Sequence, residues 1–354
     1  MDFILEIIEF LLQAVILLGV FLIAVAGLFA ISQRRRDGGD DGAVEARLLN
    51  DRYEEQREPI RTVGEAPSET KARLKEKKRD EKQKKKDAKT AAKADLDEEK
   101  QTIQPRIFVV DFDGDMQASQ VEQLREEVSA ILPLATSTDE IVVRVESGGG
   151  VVHGYGLAAS QLLRVKEAGV RLTVSVDKVA ASGGYMMACV ADTIIAAPFA
   201  IVGSIGVVAQ LPNFHRLLKK NDIDFELHTA GEYKRTLTVF GENTDKAREK
   251  FQADIDDVHD LFKQFVAENR STVSIDEVST GEYWFGQRAL EKRLVDRLCT
   301  SDSYLMEKSC DHDIVEVRYR ARQSWQEKLG LAAGHIVDRS IKRLMKSERD
   351  QRFL

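Results

Sequence analysis

Residues 106–176 read RIFVVDFDGDMQASQVEQLREEVSAILPLATSTDEIVVRVESGGGVVHGYGLAASQLLRVKEAGVRLTVSV. Three runs in it, RIFVVDF (106–112), IVVRVE (141–146) and RLTVSV (171–176), are short and rich in β-branched residues, and they predict buried strands. Between them, 118–131 and 154–168 carry apolar residues at helical spacing. Strand, helix, strand, helix, strand implies a parallel sheet joined by right-handed crossovers, so the fold class is α/β. Downstream the pattern is less regular. TIIAA (193–197), IVGSIGVV (201–208) and DFELHT (224–229) read as strands, and 213–220, 244–269 and 286–294 as helices. The stretch 323–347 is amphipathic, with Trp325, Leu329, Ile336, Ile341 and Leu344 near one face.

Upstream of Pro105 the composition changes abruptly. Residues 10–31 (FLLQAVILLGVFLIAVAGLFAI) hold no charge over a length that spans a bilayer as a helix. The preceding segment carries Asp2, Glu6 and Glu9 where a cleaved signal peptide wants positive charge. Arg34, Arg35 and Arg36 follow as a stop-transfer cluster, so the segment predicts a retained anchor. Residues 33–100 are 38 charged out of 68 and cannot bury a core. They predict a solvated stalk; the alternative is electrostatic contact with anionic lipid headgroups. The organisation expected is therefore an anchor (1–32), a charged stalk (33–104), a folded domain (105–322) and a helical C-terminal segment (323–354).

The net charge of −7 divides into −3 for residues 1–9, +2 for 33–100 and −6 for 101–354. A mildly acidic folded part argues against nucleic-acid binding, which wants a basic face. Cys189, Cys299 and Cys310 form an odd set without metal-ligand spacing, so neither a disulfide framework nor zinc or redox chemistry is implied, and no cofactor is expected.

Chemistry concentrates in three segments that follow strands, where α/β folds place their sites. The first is Ser147-Gly148-Gly149-Gly150. Its glycines leave backbone N–H groups uncovered, able to face an anion or a carbonyl oxygen gaining charge. A tight turn is the plain alternative, and a nucleotide loop is disfavoured because neither Gly-Lys-Ser/Thr nor GxGxxG spacing is present. The second is Ala181-Ser182-Gly183-Gly184-Tyr185, a serine among small residues at a helix N-terminus, either a nucleophile or an ordinary N-cap. The third is Gly231-Glu232-Tyr233-Lys234, where a desolvated lysine could serve as base, or a surface lysine could merely be solvated. Rival bases are Lys178, close in sequence to Ser182 but poorly able to reach it, and His153, which lacks an acidic orienter; His215 is the nearest histidine downstream.

In this order, GGG, ASGGY and a GxYK about fifty residues after the serine, the segments resemble the SohB/SppA family of membrane-bound Ser-Lys signal-peptide peptidases. The lone anchor, charged stalk and single catalytic unit resemble its SohB-like members. The resemblance implies a ClpP/crotonase-like α/β fold with repeated ββα-type units, with 105–322 as the peptidase domain. It implies Ser182 as nucleophile and Lys234 as general base. It also implies an oxyanion hole made by the N–H groups of Gly183 and Gly150, with Gly149 in the same loop, and Ser204 of Gly203-Ser204-Ile205-Gly206 as the residue that orients the lysine. The family's loop is usually Ser-Pro-Gly-Gly, and Gly148 replaces that proline here, which loosens the loop.

The expected function is a membrane-anchored serine endopeptidase that cuts hydrophobic segments such as released signal peptides or membrane-protein fragments. A silent scaffold of the same fold is the alternative, and an acyl-CoA-transforming enzyme of the crotonase class is a third reading. Expected partners are peptide or membrane-protein substrates, the lipid bilayer of a bacterial inner membrane and further copies of the chain, with 323–347 as a candidate interface. The basic cluster after the anchor puts the folded part in the cytoplasm by the positive-inside rule, whereas the family resemblance implies the periplasmic side.

Overall fold

The computed structural model describes residues 42–66, 104–321 and part of the stretch between 68 and 86. The anchor expected at 10–31 and the amphipathic stretch 323–347 lie outside the described residues, among which no helix is long and apolar enough to cross a membrane.

In chain order the elements are β1 (Ala43–Leu48), α1 (Leu49–Gly64), β2 (Arg106–Gly114), α2 (Val121–Ile131), β3 (Glu140–Ser147), α3 (Val152–Glu167), β4 (Arg171–Val176) and β5 (Val179–Ala181). There follow α4 (Gly183–Ala188), β6 (Thr193–Ala196), β7 (Ile201–Gly203), α5 (His215–Lys220), α6 (Asp245–Asn269) and α7 (Ile275–Val278). The last are β8 (Tyr283–Phe285), α8 (Gly286–Glu291), β9 (Arg297–Leu298), α9 (Ser301–Lys308) and β10 (Asp313–Arg320). Apart from the residues at its two margins, this described chain lies in one compact unit, Val44–Tyr319.

The main sheet runs β1-β10-β2-β3-β4-β6-β9 and is parallel from β10 to β9. At β3 it forks. Residues 140–144 of β3 pair with β4, but Ser147 at its end pairs with Ala180 of β5. From β5 a short second branch continues to β7 in parallel and then to β8 antiparallel. β4, β5 and α4 form a ββα unit, and β6 and β7 repeat its strand pair, because β6 lies beside β4 and β7 beside β5. The α/β expectation is met, with the antiparallel β8 making the sheet mixed.

The central strands are buried on both faces, which is why their sequences run almost continuously apolar rather than alternating with polar residues. Phe108, Val110 and Phe112 of β2 and Ile141, Val143 and Val145 of β3 face α2 and α3 in the larger core. Ile107, Val109 and Val142 face the other way, with Leu49 of α1 and Tyr304 and Leu305 of α9. Helix α2 meets the first face through Val121, Leu124, Val128 and Ile131, spaced three and four apart along one side. Glu127 lies on that buried side. Its Oε1 accepts the N–H of Tyr319 at 2.7 Å, its Oε2 has no partner among the described residues, and burial pushes its carboxyl up to about 7.

Three parts of the structure differ from the sequence expectation. The strand expected over 201–208 stops at Gly203, where φ reaches 103° and Ser204 follows at 53°. The strand expected at 224–229 does not form: its alternation is real, but no neighbouring strand completes a ladder, and Phe225 and Leu227 stay exposed. Residues 204–243 instead make an arm whose one described helix is α5, closed on itself by Phe214 N–H to Val239 O at 2.7 Å and by Phe240 packing on Phe214 and Phe225. Residues 43–64, which composition assigns to the stalk, fold onto the sheet. Asn50 anchors them, donating to the carbonyls of Ser309 and His312 at 3.2 and 3.0 Å and accepting from Ile314 N–H at 2.7 Å.

Candidate active site

The fork in the sheet sets the site. Because Ser147 is hydrogen-bonded beside Ala180, the loop that leaves β3 (Gly148, Gly149, Gly150) lies directly against the residue that leaves β5, Ser182. Ser182 has φ 51° and ψ −118°, a conformation that costs an L-residue roughly 1–3 kcal/mol and persists only where the surroundings dictate it. They do so here. Its N–H is held by Gly203 O at 2.8 Å and its carbonyl accepts from Met186 N–H at 2.9 Å, so the serine sits between a strand end and the first turn of α4.

Two glycines make this close approach possible. Gly149 has φ 88°, and a Cβ there would stand 2.7 Å from Ser182 Cβ and 2.8 Å from Gly183 N. At Gly183 a Cβ would stand 2.3 Å from Cγ of the buried Tyr155. The N–H groups of Gly150 and Gly183 have no acceptor among the described residues, whereas that of Gly149 is spent on Ser147 Oγ at 3.1 Å. Of the loop amides considered from sequence, Gly150 thus remains available to an incoming oxygen and Gly149 does not.

These groups line a cleft of about 660 Å³ together with Ser204 and with Met116, Val152, Met186, Val258 and Phe262. Its walls are apolar around a few convergent polar groups, the usual make-up of a substrate site. Ser204, at φ 53°, donates its N–H to Glu282 O at 2.7 Å, which fixes it at the cleft where β7 ends. The structure therefore brings together Ser182, Ser204, Gly149, Gly150 and Gly183.

Lys234 is not among them. It is exposed on the arm, in a turn closed by its own N–H to Gly231 O at 3.2 Å. Its neighbours in that turn face the start of α6: Glu232 pairs with Lys246 at 2.7 Å, and the Lys250 ammonium sits 5.5 Å from the centre of the Tyr233 ring. The rival bases do not line the cleft either. Lys178 is paired with Glu146 at 2.8 Å, which holds its ammonium in the charged form, and His153 is exposed. Cys189, the C-cap residue of α4, is buried, and its thiol is pushed up to about 12, which makes it inert as a nucleophile. Among the described residues no cluster of carboxylates, histidines and cysteines could hold a metal ion.

Sequence reasoning missed Tyr155 and Ser147. Tyr155 reads as one more apolar residue of α3 at helical spacing, and only its fold neighbours, Gly183 and Ser147, reveal more.

The chain is similar to several known proteins. The sequence pattern described as Peptidase family S49 matches residues 164–314, and that described as Peptidase family S49 N-terminal matches residues 2–162. The Probable protease SohB of Haemophilus influenzae is 50% identical over 333 residues, 94% of this chain and 91% of that protein. A Probable protease SohB of Buchnera aphidicola is 55% identical over 236 residues, 67% of this chain and 70% of the relative. The more distant Protease 4 of Haemophilus influenzae is 27% identical over 208 residues, 56% of this chain and 34% of its own. A solved variant of the 1510-N membrane-bound stomatin-specific protease is similar with a TM-score of 0.38 and 14% identity, over 58% of this chain and 85% of that one. Half of its residues are shared with a protein it covers almost end to end, and the two S49 patterns meet near the middle of the chain; the protein belongs to peptidase family S49.

Proposed function

We propose that this S49 peptidase is a membrane-anchored serine endopeptidase of ClpP/crotonase-like fold that uses Ser182 and Lys234 to cut hydrophobic peptide segments. The observation that carries the reading is the strained Ser182 at the head of α4, with the unspent N–H groups of Gly183 and Gly150 beside it in an apolar cleft. A neutral Lys234 takes the Ser182 proton, and the alkoxide attacks the substrate carbonyl. The two N–H groups receive the oxyanion, each worth about 3 to 4 kcal/mol in related sites. The lysine then returns the proton to the leaving amine, and water releases the acyl group by the reverse sequence. Ser204 holds the amine in line. In the single chain Lys234 stands on the part of the arm that lies beyond the cleft, and that part exposes Leu211, Phe214, Leu217 and Phe225. Packing of those apolar groups as copies assemble is the step that closes the dyad, which makes the homo-oligomer the active form.

The apolar cleft fits extended hydrophobic peptides, and the sequence of residues 10–31 supports a bilayer as the setting. Fluorophosphonate labelling tests the assignment: the wild-type protein is expected to be labelled at Ser182, and Ser182→Ala to be neither labelled nor active on a chromogenic peptide. Labelling that survives Ser182→Ala would overturn it. Turnover of an acyl thioester with no peptide cleavage would favour crotonase-type chemistry instead.

A further inference from the structure

Beneath the glycine loop lies a chain of hydrogen bonds that the reaction above does not use. Gly149 N–H donates to Ser147 Oγ at 3.1 Å, Ser147 Oγ lies 2.5 Å from Tyr155 Oη, and Tyr155 Oη donates to Asp115 O at 2.7 Å. Both side chains are sealed from solvent, Ser147 at 1% and Tyr155 at 0% exposure. One set of proton positions satisfies all three bonds: the phenol donates to Asp115 O, the serine hydroxyl to the phenol oxygen, and a serine lone pair takes the amide. Gly114 O, 3.2 Å from Ser147 Oγ, is a second acceptor for the serine.

The loop is gripped at its other end as well. Val151 N–H donates to Met116 O at 2.9 Å, and Gly150 packs so tightly there that a Cβ would meet the same oxygen at 2.1 Å. The peptide plane bearing Gly149 N–H and the plane bearing Val151 N–H are therefore both fixed. Between them lies the plane that carries Gly150 N–H, whose orientation follows from its two neighbours. The ring of Tyr155 meanwhile supports the other donor, since Gly183 rests on it without room for a methyl group. One side chain thus reaches both halves of the hole, its ring under Gly183 and its hydroxyl, through Ser147, under Gly149.

We propose that Tyr155 and Ser147 are positioning residues that preorganise the oxyanion hole, their paired hydroxyls supplying the restraint that position 148, a glycine, does not. The proposal rests on the reading of Gly150 and Gly183 N–H as the oxyanion donors. Neither hydroxyl touches substrate. Each acts by keeping an N–H where charge develops, and such fixed dipoles stabilise the transition state without reorganising during the reaction.

The experiment uses the full-length protein, a chromogenic peptide, the matching peptide aldehyde and the cleaved product peptide. The aldehyde forms a tetrahedral adduct whose oxygen occupies the hole, and the product peptide reports binding without it. For Tyr155→Phe, which keeps the ring, kcat is expected to fall about 10- to 100-fold, less than loss of a whole donor. Aldehyde affinity should weaken by a similar factor, while KM and product affinity stay within twofold. Ser147→Ala should behave alike, and the double variant should be no worse than the poorer single one, because both act on one chain. Wild-type kcat and aldehyde affinity in both single variants would overturn the proposal; so would equal weakening of aldehyde and product, which marks general damage. The dyad reading is tested apart from this: a fully active Ser182→Ala would sink it, whereas an inactive Ser182→Ala beside an undiminished Tyr155→Phe would sink only the positioning role.

Discussion

Ser182 and Lys234 are proposed to act as one unit, so their substitutions should not add. Ser182→Ala and Lys234→Ala are each expected to remove peptide cleavage almost completely, with the double variant no worse, measured as kcat/KM on a chromogenic peptide. Substantial cleavage by either single variant would discard the dyad. Gly148→Pro tests the loop from the opposite direction. Nothing lies within 4 Å of the Cβ position at Gly148 and its φ is outside the left-handed region, so neither space at Cβ nor a positive φ bars a proline there. It should stabilise the protein by about 0.4–1 kcal/mol through the unfolded chain and leave kcat within a few-fold, read by urea unfolding and by assay. A fall in stability would mean that the loop needs the freedom glycine gives it. Ser182 and the glycine loop were legible in sequence because each lies just past an expected strand, where the fold puts backbone amides to use; Ser204, inside the strand expected over 201–208, was reached only through the family resemblance. The location of Lys234 was not legible: sequence spacing says nothing about where an arm without sheet partners comes to rest.

Among the elements, α2 and α1 carry consequences that composition conceals. Glu127 is pushed up to about 7 by burial, well above a free glutamate, so the folded state binds its proton more tightly than the unfolded chain does. Its contribution to stability is full below about pH 4.5, declines as pH rises, and is gone above about 7. Glu127→Gln should therefore flatten the loss of Tm between pH 5 and 8, gaining most over wild type at pH 8. An equal Tm difference at both pH values would show that Glu127 does not titrate in this window. Helix α1 reads as stalk because it is strongly charged, yet Asn50 and Leu49 join it to the turn before β10 and to the second core. Asn50→Ala strips the buried Ile314 N–H of its acceptor and should cost about 1–3 kcal/mol in urea unfolding. An unchanged midpoint would show that these bonds are replaced by water. The strands from β2 to β4 were legible to within two residues at either end, since an apolar run buried on both faces leaves little choice. β8, β9 and β10 were not. They are short or only half apolar, and their pairing is settled by neighbours that come from distant sequence.

At the scale of the whole molecule, the proposed nucleophile and the proposed base sit on parts of different character. Oligomers assembled from mixed Ser182→Ala and Lys234→Ala subunits should regain part of the wild-type activity, because an intact arm can then meet an intact cleft on a neighbouring copy. If mixed oligomers form and stay inactive, the arm closes on its own chain. The pairing of Ser147 with Ala180 has a further consequence, in time rather than in space. Amides bonded in that ladder exchange only when the sheet itself opens, so that of Ser182, held by Gly203 O, belongs among the slowest in the protein to exchange with deuterium, unlike the unspent N–H groups of Gly150 and Gly183. Those of residues 229–241, outside any helix or strand and largely exposed, belong among the fastest. On the proposed dyad, half of the machinery is set by the sheet and the other half is carried by residues 229–241, so turnover should follow how often that segment docks, and anything that holds or displaces it should act as a throttle without touching the serine.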